Sequence, residues 1–193
     1  ENVLIVGGDA FSKSDSTSVK SVKDFTTTQL IAATKSMNLG KDYRGRKLLS
    51  PTNFCVGATI DLGNNLQKES ILTHKKVTAG ADFFVTQPIY DTETLERFQD
   101  NYSLLNERFT RPFFVGLQIL ASSSPTFGKV PNKIKKELEN GRDGVSIAME
   151  LLDKFVSKGF NNIYLIPPIV KGGVRGYSSA KTVLSNMITK LKK

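Results

Sequence analysis

Five short apolar runs punctuate this chain, at about residues 2–6, 53–59, 82–86, 113–118 and 162–167. Each is rich in Val, Ile, Leu or Phe without strict alternation, the pattern of strands covered on both faces. Between them lie stretches with helical spacing and helix-end signals. Thr26-Thr27-Thr28 caps a predicted helix through about residue 38. Residues 66–79 form a second, with apolar Leu66, Ile71, Leu72 and Val77 broadly along one side. Asp91 caps a third to about residue 100, with Glu93 and Glu96 near its positive end. Pro131 suits the first position of a helix that Gly141 stops. Residues 144–158 follow, apolar at Ile147, Met149, Leu151, Leu152, Phe155 and Val156, with Gly159 as the stop. A last basic helix spans about 178–191. Strands alternating with helices predict an α/β domain with parallel pairing.

Two architectures use such units. One is an open doubly wound sheet, complete with five strands. The other is a (βα)8 TIM barrel, which needs eight strands, so that five would be a partial barrel. At 193 residues the chain suits a single domain, residues 1–193. Hydrophobic residues make up 39% and charged residues 23%, which excludes a disordered chain. No apolar run approaches ~20 residues, so no membrane span is expected, and no signal segment opens the chain. The single cysteine, Cys55, excludes an internal disulfide and fits a cytoplasmic protein; its apolar run predicts a small buried hydrophobe. With one histidine, His74, a His/Cys metal site is not expected.

A net charge of +9 suits an anionic partner. Basic residues gather at Lys41, Arg44, Arg46 and Lys47 and at the C-terminus. No RNP-type motif, zinc finger or recognition helix accompanies them, so nucleic acid is not the expected partner.

Candidate chemistry concentrates at the carboxyl ends of the predicted strands, where α/β folds bind ligands. Gly7-Gly8-Asp9 ends the first; the glycines allow close backbone approach, and Asp9 either caps the next segment or meets a ligand. Gly80 stops a helix, Phe83-Phe84-Val85 forms a buried strand, and Thr86, Gln87 and Tyr90 lie past its end. Gln87 offers a donor and an acceptor; Tyr90 either stacks on a ligand or packs. Lys76 and Glu69, two turns apart on a helix, read as solvated surface on pattern alone. Gly172-Gly173-Val174-Arg175-Gly176 is glycine-rich but lacks P-loop spacing.

Five segments, in order, resemble the methylenetetrahydrofolate reductase family: Asn2 to Asp9, Phe54 to Ala58, Ala79 to Asp91, Gly144 to Glu150, and Tyr164 to Pro168. The pattern is that of the subgroup fused to homocysteine methyltransferases. The resemblance places the five strands as the fourth through eighth of the barrel and implies that three N-terminal units lie outside this chain. It implies flavin-dependent reduction of 5,10-methylenetetrahydrofolate to 5-methyltetrahydrofolate, with FAD as cofactor, NAD(P)H as cosubstrate, a folate substrate and a homo-oligomer. It makes Asp9 the catalytic residue that tunes the flavin. It assigns Gly8, Asp9, Ala58, Glu69 and Lys76 to the cofactor and Gln87, Tyr90 and Lys171 to the substrate.

Departures are specific. Thr59 to Asn64 lacks the family's aromatic, Pro and His flavin contacts. Lys23 stands where a tyrosine is common. Ser122 to Pro131, which carries the folate-stacking contact in the family, is shortened. Lys171 replaces an arginine, keeping charge and losing the planar fork. The family's general acid, a glutamate on the first strand, has no counterpart here. Two alternatives stay open: a non-catalytic folate- or partner-binding paralogue, and an open-sheet anion-binding protein.

Overall fold

Every apolar run becomes a strand and every helical stretch a helix. The computed structural model describes residues 1–8, 24–105, 108–122 and 124–191, without the side chains of Lys171, Lys190 and Leu191. The strands are β1 (Asn2–Ile5), β2 (Cys55–Ile60), β3 (Phe83–Pro88), β4 (Phe113–Gln118) and β5 (Ile163–Ile166). The helices are α1 (Thr27–Asn38), α2 (Leu66–Thr78), α3 (Glu93–Ser103), α4 (Asn132–Glu139), α5 (Gly144–Ser157) and α6 (Tyr177–Leu191). All strands pair in parallel, in the order β1-β2-β3-β4-β5. Doubly wound sheets reverse strand order at a switch point. This sheet does not, and its sequential order is that of a barrel wall.

Helix ends follow their predicted chemistry. Thr26 and Gln29 form a reciprocal capping box at α1. Asp91 accepts the Thr94 amide at 2.7 Å before α3. Pro131 sits one position earlier than expected, as the N-cap of α4.

The core lies between sheet and helices. Ile5, Val56, Ala58, Ile60, Phe84 and Val115 are buried there against Ile31, Leu95, Phe98, Leu151 and Phe155. The opposite, concave face stays open. Leu4, Val6 and Phe114 are exposed on it. Cys55 corrects the expectation of burial: it pairs with Asn2 on the face shared by Leu4 and Gly57, and it is exposed. Five strands do not close around that face, so the described residues leave the thiol uncovered.

Helix α2 brings a second correction. Its buried side is Ser70, Thr73 and Lys76, whereas Ile71 and Leu72 are 41% and 39% exposed. The i, i+3, i+6 spacing of the polar residues, rather than the apolar pair, faces the sheet. No described helix is long and apolar enough to cross a membrane.

Candidate functional site

A cleft of about 580 Å³ opens at the carboxyl ends of the strands. Leu4, Val6 and Gly7 form its β1 side, and Thr59 and Asp61 its β2 side. Val85 to Pro88 make the centre, and Tyr164 to Pro167 the β5 side. Phe127, Arg175 and Tyr177 stand at the rim.

The centre is shaped by a β-bulge. Val85 pairs with Phe114 and Pro88 with Gly116, so β3 spends one residue more than β4 over this interval. Bulges beside binding sites re-aim side chains. Three groups hold this one. The Gly116 amide donates to Thr86 Oγ1 at 3.0 Å, the Tyr164 hydroxyl donates to the Thr86 carbonyl at 2.7 Å, and the Ile89 amide donates to the Gly116 carbonyl at 3.0 Å. Pro88 has no amide to contribute. Gly116 is required because a Cβ there would stand 2.8 Å from the Tyr164 hydroxyl. Burial pushes the Tyr164 phenol above its ordinary pKa, so it remains the donor this arrangement needs. The outcome is that Gln87 is exposed on the cleft wall, and its amide makes no hydrogen bond among the described residues.

Tyr90 is not part of that wall. It is 6% exposed, and its hydroxyl faces Gln118 Oε1 at 3.0 Å and the Phe127 carbonyl at 3.2 Å. Of the two readings open for it, packing is the one realised, and burial drives its phenol far above the ordinary pKa. Gln118, fully buried, also accepts the Phe127 amide at 2.8 Å and donates to the Pro125 carbonyl at 3.1 Å. These bonds present the Phe127 ring to the cleft. The shortened segment therefore still supplies an aromatic group, and the Arg175 guanidinium lies 5.9 Å from that ring's centre.

Arg175 arrives by a fold-back. Ile169 bridges Arg175, the Val170 amide donates to the Val174 carbonyl, and the Gly176 amide donates to the Pro168 carbonyl. The backbone of Lys171 opens the 3-10 turn inside this loop. Among the described residues, the cation on the cleft is Arg175, from the glycine-rich motif.

The described residues among those assigned to a flavin do not assemble here. Ala58 is fully buried toward the helices, not beside the cleft. Lys76 is 4% exposed rather than solvated. Its ammonium donates to the Thr59 carbonyl at 2.6 Å and pairs with Glu69 at 3.3 Å, one layer behind the cleft wall. Burial raises the Glu69 pKa against the opposing pull of Lys76. Gly8 is exposed next to Gly7, and Asp9 lies outside the described residues, as does Lys23. Glu69 and Lys76 are thus committed to each other and to the sheet, and the described residues do not form a flavin cradle.

Sequence reasoning missed Gly116, Gln118, Phe127 and Tyr164. Only Phe127 left a signal, as the sole aromatic residue of its segment. Among the described residues no group of three or more His, Cys, Asp or Glu could hold a metal ion.

Comparisons with known proteins agree with this architecture. No curated protein sequence matches the chain. One similar solved structure is an uncharacterized protein from Clostridium thermocellum that binds two copies of 5-methyl-5,6,7,8-tetrahydrofolic acid. It superposes with a TM-score of 0.51 at 17% identity, over 69% of this chain and 53% of that one. The chain thus spans about half of that structure's length, and the likeness is one of fold. The family model described as methylenetetrahydrofolate reductase matches residues 1–167. With that match over most of its length, the chain belongs to the methylenetetrahydrofolate reductase family.

Proposed function

We propose that the cleft binds a reduced folate, within a protein that reduces 5,10-methylenetetrahydrofolate to 5-methyltetrahydrofolate. The observation that carries this reading is Gln87. The bulge delivers to the cleft a donor-acceptor pair that is unpartnered among the described residues, in a lining shared with apolar Leu4 and Val6. A pterin edge presents donors and acceptors on a flat ring, which suits an amide flanked by apolar walls. Phe127 is placed to stack on an aromatic ligand, and Arg175 adds the positive charge that an acidic ligand tail requires. The family membership and the folate bound by the similar structure support the same ligand class.

FAD would supply the hydride in such a reduction. Of the residues carried over for a flavin, Ala58, Lys76 and Glu69 do not fit it, because Ala58 is buried and Lys76 and Glu69 are spent on each other. That same observation favours a second reading, a folate-binding paralogue without reductase chemistry.

Calorimetric titration of 5-methyltetrahydrofolate, with visible absorbance of the purified protein, separates the two. Folate binding weakened about tenfold or more by Gln87→Ala supports the site. Flavin absorbance with turnover supports the reductase, and folate binding by a colourless protein supports the paralogue. Absence of folate binding rejects both.

A further inference from the structure

A second cavity, of about 370 Å³, lies at the opposite end of the sheet, where β4 and β5 begin. Arg108, Arg111 and Lys158 line it together with the amides of Gln99, Asn161 and Asn162. Among the described residues no carboxylate lines it. Beside it, Glu96 holds the Lys158 ammonium at 2.8 Å. Arg108 and Arg111 make no ion pair among the described residues. Among the described residues, three cations therefore face one carboxylate, and two guanidiniums without an ion pair stand beside three neutral amides.

The surroundings hold these groups in place. Asn162 is fixed at the head of β5, where its carbonyl accepts the Val115 amide at 2.9 Å. The carboxyl end of α5 comes close by, and such an end carries partial negative charge. Two of its last carbonyls are already taken: those of Phe155 and Val156 accept the amides of Phe160 and Gly159 at 2.9 Å. Phe113, Phe160 and Pro112 give the cavity an apolar floor.

We propose that this cavity binds a phosphoryl oxyanion carried on a small organic body. Arginine forks match the oxygens of a phosphate in pairs, which a lysine ammonium cannot do alone. The amides supply neutral donors to the remaining oxygens. The apolar floor and the volume leave room for more than the oxyanion itself. The site is at the far end of the strands from the cleft and does not depend on what the cleft binds.

The test is calorimetric titration of the full-length protein with inorganic phosphate and with adenosine monophosphate, each at ionic strength held constant with sodium chloride. Saturable binding of either is expected, tighter for adenosine monophosphate if the floor takes the organic body. Arg108→Ala with Arg111→Ala should weaken binding roughly tenfold or more for each arginine removed. Lys158→Ala should weaken it less, and Arg44→Ala, on the distant α1–β2 connection, should leave it unchanged. All four residues are exposed, so the variants should fold. Heats matching those of sodium chloride alone, or unchanged affinity in the double arginine variant, would overturn the proposal.

Discussion

A lysine on a helix is normally a solvated group, yet Lys76 is buried with its ammonium on the Thr59 carbonyl and Glu69. Burying a charge is costly unless partners answer it. Removing one partner should therefore cost more than the pair contributes. Lys76→Met is expected to destabilise the protein by about 3–5 kcal/mol in denaturant unfolding, since it strands Glu69 and a buried carbonyl. A loss under about 1 kcal/mol would contradict this role. Tyr90 is tied down in the same way. Tyr90→Phe leaves acceptors on Gln118 and Phe127 less satisfied and should cost about 1–3 kcal/mol. It should also weaken folate binding through looser placement of Phe127, with Gln87 untouched. Equal folate affinity in the variant would detach that loop from the site. Residue type was legible in the sequence at each of these positions; commitment was not. Gln87, Tyr90 and Lys76 all carry polar groups, and only packing decides which group faces the ligand.

At the scale of elements the sequence was far more informative, because strands and helices here are written by local pattern. The five apolar runs, the Thr26 cap and the Gly141 and Gly159 stops all stand where pattern placed them, to within a few residues. What local pattern omits is contact between distant elements. The β3–β4 bulge depends on Thr86, Gly116 and Tyr164, which lie on three strands. Gly57 is another such case: a Cβ there would meet the Phe83 ring at 2.3 Å. Gly57→Ala should cost about 1–3 kcal/mol, as the ring can shift. Gly144 is stricter, since an added Cβ would lie 1.8 Å from the Leu120 carbonyl oxygen, which is backbone. Gly144→Ala is expected to cost about 3 kcal/mol or more, or to prevent folding. Thermal unfolding that leaves the order of these two variants reversed would show that the α5–β4 junction is looser than described.

Across the whole molecule, helices and core occupy one face of the sheet while the concave face, with Leu4 46% and Val6 57% exposed, meets the cleft. That asymmetry leaves the open side available for a ligand and puts the core on the other. It also sets the alkaline response. Tyr90 and Tyr164 are both raised above 10.0 by burial. A raised phenol contributes stability fully below its unfolded-state pKa, and that contribution is lost as pH rises through the folded-state value. Melting temperature should therefore fall above pH 10.0, and less steeply in Tyr90→Phe than in the parent protein. Parallel profiles would show that Tyr90 does not drive the loss. The central claim is that the cleft at the carboxyl ends of the strands is a reduced-folate site. Hydrogen exchange with and without 5-methyltetrahydrofolate tests it most directly. Slowed exchange is predicted at Gln87, Ile89 and Leu165 to Ile166 and near Phe127, with the amino ends of the strands unchanged. Unaltered exchange across those residues at saturating ligand, or protection confined to the opposite end, would contradict it.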